Sequence, residues 1–292
     1  MPADTMTPWD RVTLARHPQR PRALDFVGGL CDDFIELHGD RQLSDDRALV
    51  GGMATFRGRG VMVLGNQKGR NTRENLERNF GMARPQGYRK ALRLMRHAEK
   101  FRLPLINFID IPGADPGPTS EEHGQAMAIA DNIHALADLR VPTLAIVIGE
   151  GGSGGALALG VADRVLMLEN AIYTVASPEA SASILWKDAT QAPAAAAAMR
   201  ITAPELLEFE LIDAIIAESP PAHEDTAKAI AATGDAIEHH LRGLEEILAG
   251  DGGLQALLDL RYAKYRRIGH WREVEALTPN PSPAGRGEHQ PG

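Results

Sequence analysis

The sequence predicts an α/β fold in which parallel strands are joined by crossover helices. Two successive segments each read as an apolar strand, a glycine-bearing turn and a helix. The first is Leu103 to Asp110, then Pro112-Gly113-Ala114-Asp115-Pro116-Gly117; the second is Val141 to Ile148, then Gly149 to Gly155. Apolar runs of this length without alternation suit strands covered on both faces, as parallel strands are. Right-handed crossovers then set the two turns beside one another, at the carboxyl ends of the strands where ligands of such sheets gather.

The elements are justified in chain order. Residues 1–22, rich in Pro and Arg, read as an irregular arm that is either unstructured or docked. Ala23 to Leu37 has apolar residues at helical spacing and reads as one amphipathic helix. Leu49 to Phe56 and Gly60 to Leu64 read as a hairpin turning at Arg57-Gly58-Arg59. The helix through Leu94 is expected to bury Ala91, Leu92, Met95, Ala98 and Phe101 and to present Arg89, Lys90, Arg93, Arg96 and Lys100 to water. Its alternative use is steering of an anionic ligand or protein. A capping box at Thr119 and Glu122 opens the helix through Leu136. Ala171 to Val175 is a short strand, and helices come next through Trp186 and across Ala192 to Met199. Leu206 to Ile216 holds a helix-to-strand step, and Asp225 to Ala249 is a long polar helix. Residues 23–272 thus form the folded domain with its C-terminal helices, and the Pro/Gly-rich tail 273–292 is expected to be disordered.

Composition narrows the function. With 292 residues, 43% hydrophobic and 24% charged, the chain can hold one large or two modest domains. A net charge of −8 argues against a dedicated nucleic-acid binder, although thirteen Lys and Arg face only three Glu between Arg57 and Arg102. Cys31 stands alone, which rules out an internal disulfide and fits a reducing compartment. No clustered ligands suggest a structural zinc, and no apolar run reaches membrane-spanning length, so no metal on this chain, no membrane and a cytoplasmic location are expected.

The chemistry concentrates in Val147 to Asp163, where Gly149, Gly151, Gly152, Gly154 and Gly155 are interrupted only by Glu150 and Ser153. Glycines let something approach the backbone, and a helix N-terminus leaves amide donors pointing outward. Three chemistries use this layout. Gly149-x-Gly151-x-x-Gly154 fits a dinucleotide fingerprint, with Glu169 as its acidic residue, but the helix after it has room for only about two turns. Gly151-x-Ser153-x-Gly155 fits a nucleophile elbow, which would need a histidine such as His223, His239 or His240. The third reading is an oxyanion hole of glycine amides. No lysine comes directly after the glycines, which excludes a P-loop.

Several long motifs resemble one family. They are A-R-H-P-Q-R-P (15 to 21), G-N-Q-K-G-R (65 to 70), R-N-F-G-M-A-x-P-x-G-Y-R-K-A-L-R-L-M (78 to 95), I-D-x-P-G-A-x-P-G (109 to 117), V-I-G-E-G-G-S-G-G-A-L-A (147 to 158) and S-P-E-x-x-A-S-I-L-W (177 to 186). From about Leu14 to Gly269 the chain is similar to alpha subunits of the bacterial, multi-subunit acetyl-CoA carboxylase carboxyltransferase. The resemblance implies a crotonase/ClpP-like spiral of ββα units with flanking helices. It also implies transfer of a carboxyl group from carboxybiotin to acetyl-CoA, giving malonyl-CoA for fatty acid biosynthesis.

Carried over residue by residue, it places Gly154 and Gly155 as the catalytic amides holding the ureido oxygen of biotin. Gly113, Ala114, Gly151, Gly152 and Ala156 would line the carboxybiotin pocket. The biotin enolate takes the α proton itself, so neither His123 nor Asp115 is needed as a base, and Glu150 and Ser153 support the loop. The implied partners are a zinc-bearing beta subunit that binds acetyl-CoA, the biotin carboxyl carrier protein and the ATP-dependent biotin carboxylase, with two alpha and two beta chains together. Three departures stand out. The family usually carries an extra helical segment before A-R-H-P-Q-R-P, and this sequence begins only a few residues upstream of that motif, which bears on the expected subunit contacts; Asp115 replaces the usual tyrosine, and Ala180-Ser181 replaces Gly-Cys. They leave open a divergent paralogue acting on another acyl-CoA, or a non-catalytic scaffold that binds the beta subunit.

Overall fold

The computed structural model describes residues 6–269. Its sheet runs β1-β2-β3-β4-β5-β6-β8, with β7 paired to β5 beyond the reach of β6. The strands are β1 (Cys31–Glu36), β2 (Leu49–Phe56), β3 (Arg59–Asn66), β4 (Leu105–Ile111), β5 (Thr143–Gly152), β6 (Arg164–Leu168), β7 (Ile172–Thr174) and β8 (Ala214–Ile216). β1, β2 and β3 pair antiparallel, while β3 through β6, β8 and β7 pair parallel. The hairpin forms as expected, and β4 and β5 are buried along their whole lengths. That is why their sequences lack alternation.

Helices cover the sheet. α4 (Pro85–Phe101) packs on α6 (Gln125–Ala137), and α6 packs on α7 (Ser153–Gly160); α11 (Thr226–Ala249) packs on α2 (Ala23–Leu30) and on α12 (Gly253–Arg267). The remaining helices are α1 (Pro8–Ala15), α3 (Thr72–Glu77), α5 (Pro118–Glu122), α8 (Pro178–Trp186), α9 (Ala192–Met199) and α10 (Ala203–Glu208). One buried side chain ties the far end of the molecule to the sheet. Arg261 of α12 donates to the carbonyls of Leu136, Leu139 and Val141 and grips both carboxylate oxygens of Asp163 at 2.8 Å. All its donors are used, so the charge is buried without an orphan.

Four expectations are corrected. Ala23 to Leu37 is not one helix: α2 ends at Leu30 and the chain becomes edge strand β1, paired to β2. The arm is not irregular throughout, because Thr7 caps α1 through a capping box with Asp10, and Arg16 and Arg20 anchor the segment after that helix by pairing with Glu150 and Glu218. Thr119 caps nothing; Gly117 precedes the short α5, and Gly124 at φ +80° separates it from α6. Finally, the basic face of α4 is largely neutralised. Lys90 is buried and reaches Asp45 at 2.5 Å and the Asp46 carbonyl at 2.8 Å, Arg89 pairs with Asp40 at 3.0 Å, and Phe101, expected inside, is 53% exposed. These cations pin the loop between β1 and β2. The tail 273–292 and the boundary at 272 lie outside the described residues.

Candidate functional site

β5 runs straight through the glycines to Gly152, and α7 begins at the next residue. Ser153 makes the corner with φ +52°, a left-handed value uncommon for a residue with a side chain. No side chain caps α7, and the amides of Ser153, Gly154 and Gly155 donate to no carbonyl among the described residues. A helix start of this kind presents aligned N–H donors and a partial positive charge to whatever lies before it.

The second turn closes on the first. A Cβ on Gly155 would stand 2.7 Å from the Ala114 nitrogen and 3.0 Å from the Gly113 carbonyl carbon, and one on Gly152 would overlap the Pro112 carbonyl. The backbones therefore touch where both glycines lack side chains. Around Gly113 nothing lies within 4 Å of such an atom, and at Gly154 only Ile129 approaches, at 3.7 Å. Gly113 and Gly154 thus border open space, half-exposed, in front of the free amides. A single side-chain carbon at either glycine would begin to fill this cradle.

Pocket lining is narrower than expected. Gly151 and Gly152 are buried, Gly151 against the Tyr173 ring and Gly152 against Pro112, and Ala156 is fully buried. Their small size serves strand-to-strand and loop-to-loop approach. Gly113, Ala114, Gly154 and Gly155 remain around the cradle, with Gly155 itself packed behind it.

Beneath the turn lies a charge network that sequence reading missed. Lys68 reaches Asp110 and Glu150, each at 2.7 Å; Arg16 reaches Glu150 at 2.6 Å and Glu179 at 2.5 Å; and the Glu150 amide donates to Asp110 at 3.0 Å. Burial opposes ionisation of Glu150, but Lys68 and Arg16 outweigh it and hold this carboxyl below its ordinary range. Burial likewise works against the Lys68 charge, and the two carboxylates outweigh it and raise its pKa. Each of five resembling motifs contributes a residue here, Arg16, Lys68, Asp110, Glu150 and Glu179. That convergence was the available signal. The network fixes the end of β5, and hence the corner at Ser153. A cavity of about 190 Å³ between Arg16, Arg22, Lys68 and Asp110 adjoins it.

The competing layouts fare differently. Among the described residues no histidine is hydrogen-bonded to Ser153: the His223 ring lies against His17, with centroids 3.9 Å apart, and His239 faces His240 on α11. The glycines of the dinucleotide fingerprint are occupied from within, Gly149 by Asp110 and Gly151 by Tyr173, while Glu169 accepts from the Glu218 amide at 3.0 Å. Asp115 is engaged by its own neighbours. Burial opposes its charge, but it accepts from Ser120 at 2.5 Å and from Asn79 at 2.9 Å, which keep its pKa below the ordinary value. Ala180 and Ser181 make ordinary first-turn bonds to the capping Ser177. Among the described residues no group of three or more His, Cys, Asp or Glu could hold a metal, and no helix is long and apolar enough to cross a membrane.

Residues 3–269 match the family model described as acetyl co-enzyme A carboxylase carboxyltransferase-like. Alpha subunits of acetyl-coenzyme A carboxylase carboxyl transferase from Prochlorococcus marinus and from Halalkalibacterium halodurans are each 51% identical, over 94% of this chain and over 82% and 84% of their own lengths. Among solved structures, transcarboxylase 12S superposes with a TM-score of 0.62 at 20% identity, over 79% of this chain and 44% of that one. A Pseudomonas malonate decarboxylase superposes with a TM-score of 0.61 at 20% identity, over 84% of this chain and 96% of that one. These two likenesses speak for the crotonase fold alone. The uncapped helix start, the cradle before it and the match over nearly the whole described chain lead to one assignment: the chain belongs to the family of acetyl-CoA carboxylase carboxyltransferase alpha subunits.

Proposed function

We propose that the amides of Gly154 and Gly155 form the oxyanion hole for carboxybiotin in the transfer that makes malonyl-CoA from acetyl-CoA. The observation that carries this reading is the free start of α7 facing the cradle bordered by Gly113 and Gly154. Biotin, borne by a carrier protein, supplies an activated carboxyl group and, once that group has left, a base for the α proton of the thioester. The two amides donate to the ureido oxygen, where negative charge grows as the carboxyl departs. Preorganised donors at such a position contribute about 3 to 4 kcal/mol each. Gly113 and Ala114 wall the cradle, and the Lys68–Glu150–Arg16 network keeps β5 and the corner from shifting under that charge.

The acetyl-CoA half of the reaction falls to a partner, a zinc-bearing beta subunit, in a complex of two alpha and two beta chains. Biotin carboxylase and the carrier protein complete the enzyme, which works in the cytoplasm. Val175, just before α8, and Ile184, Leu185 and Trp186, at its C-terminal end, are 81%, 69%, 65% and 46% exposed. Glu179 in the first turn of α8 pairs with Arg16 of the charge network, and these exposed apolar side chains suit the beta subunit.

The test is malonyl-CoA-dependent carboxylation of biocytin by this chain alone and with the beta subunit of the same source. Activity only in the mixture is the expected result. A mixture that assembles and stays inactive would point to another acyl-CoA or to a scaffold.

A further inference from the structure

Asn79, Phe80 and Gly81 hold φ values of +46°, +55° and +80°, three left-handed residues in a row. For a bulky residue such as Phe80 this is an outlier that costs on the order of 1 to 3 kcal/mol. Burial does not account for it, because the Phe80 side chain is left 46% exposed. Strain of this kind persists only where the surroundings over-determine it.

They do so here from two sides. The Asn79 side-chain amide donates to the Met82 carbonyl and to Asp115, each at 2.9 Å, and the Gly81 amide donates to the Arg78 carbonyl at 2.9 Å. Gly81 lies so close to Lys68 and Asp110 that a Cβ on it would stand 2.8 Å from Lys68 Cγ and 3.3 Å from the Asp110 carbonyl oxygen. Asp115 comes directly after Ala114, whose nitrogen abuts Gly155, and its own amide donates to the Ala83 carbonyl at 3.1 Å. The strained turn is thus bolted to the wall of the cradle on one side and to the charge network on the other. What it delivers is a half-exposed aromatic ring on a turn whose Asn79 is bonded to Asp115, the residue after Ala114.

We propose that Phe80 is a substrate-contacting residue, its ring packing against the apolar face of the biotin ring system while the helix-start amides hold the ureido oxygen. This rests on the function proposed above. An aromatic plate contributes modestly, but it orients a ring-shaped ligand and costs little entropy, since its own backbone is already fixed.

The experiment uses the full chain assembled with its beta subunit and tracks biocytin carboxylation from malonyl-CoA. Phe80→Gly removes the ring and relieves the left-handed backbone. It should raise the KM for biocytin about three- to tenfold, leave the KM for malonyl-CoA unchanged, and raise the thermal midpoint. Phe80→Trp should keep the biocytin KM within about twofold of the parent. An unchanged biocytin KM in Phe80→Gly overturns the proposal, and so does a change confined to the concentration at which the subunits assemble. If the parent mixture itself fails to carboxylate biocytin, the proposed function falls and this inference with it. If the parent is active and Phe80→Gly is kinetically normal, this inference alone falls.

Discussion

The turn after β4 and the turn after β5 both come at the end of buried apolar strands, yet they end differently. β5 passes at Gly152 directly into α7, an eight-residue helix whose first amides stay free. β4 leaves the sheet at Ile111, and Pro112 and Pro116 punctuate an irregular stretch that lasts until Pro118 opens the five-residue α5. Prolines lack the amide donors a helix start would offer and restrict the residue before them. One turn therefore makes donors and the other makes a wall, and the site exists because glycines let them touch. The same strand-to-glycine pattern yields two parts that neither could replace.

Breaking the contact itself should have the largest effect. Gly152→Val would drive a side chain into the Pro112 carbonyl, and we expect a loss beyond about 4 kcal/mol, read as loss of soluble, cooperatively melting protein. The matching change on the wall, Gly113→Ala, meets open space and should leave the thermal midpoint nearly unchanged while lowering transfer. Equal damage from both would erase the distinction between the turns.

Next in size is the support under the donor turn. Lys68→Met leaves Asp110 and Glu150 buried without this cation, and unfolding by denaturant should show a loss of about 3 to 5 kcal/mol. The sign with pH is set by the depressed pKa of Glu150. Its contribution is complete above the unfolded value near 4.5 and disappears as the pH falls through the lower folded value. Stability of the parent should therefore drop as pH is lowered below about 4.5, and the drop should be shallower in Lys68→Met. An identical acid profile in the two proteins would show that the pair is not coupled.

The smallest effect is expected at the corner's exposed side chain. Ser153→Ala should change stability by no more than about 0.5 kcal/mol and leave transfer within about twofold. A collapse of activity would return Ser153 to the role of nucleophile.

Much of this was legible in the sequence because it is local. The hairpin at Arg57-Gly58, the unbroken apolar runs of β4 and β5, and the glycine corner each arise from residues near one another in the chain. The features that were not legible depend on distant partners. Cys31 to Glu36 shares the apolar spacing of a helix, and only pairing with β2 makes it a strand. Lys90 looks solvent-facing until Asp45 is brought to it, and Arg16 and Arg20 look like a charged arm until Glu150 and Glu218 arrive from more than a hundred residues away. Gly151, Gly152 and Ala156 read as pocket residues because glycine and alanine serve close packing and ligand approach equally well. Phe80 was hidden for a related reason, since its exposure comes from backbone angles that no residue pattern announces.

The most direct test of the central claim is the turnover of Gly154→Val with the beta subunit and biocytin. The Gly154 backbone is not left-handed, its Cβ would meet only Ile129 at an ordinary 3.7 Å, and a Cβ in a helix tilts toward the N-terminus, into the space before the free amides. The account predicts that kcat falls about 100-fold or more, while assembly and the thermal midpoint are kept. A kcat within about twofold of the parent would contradict it, and would mean that the start of α7 does not hold the charge that develops during transfer.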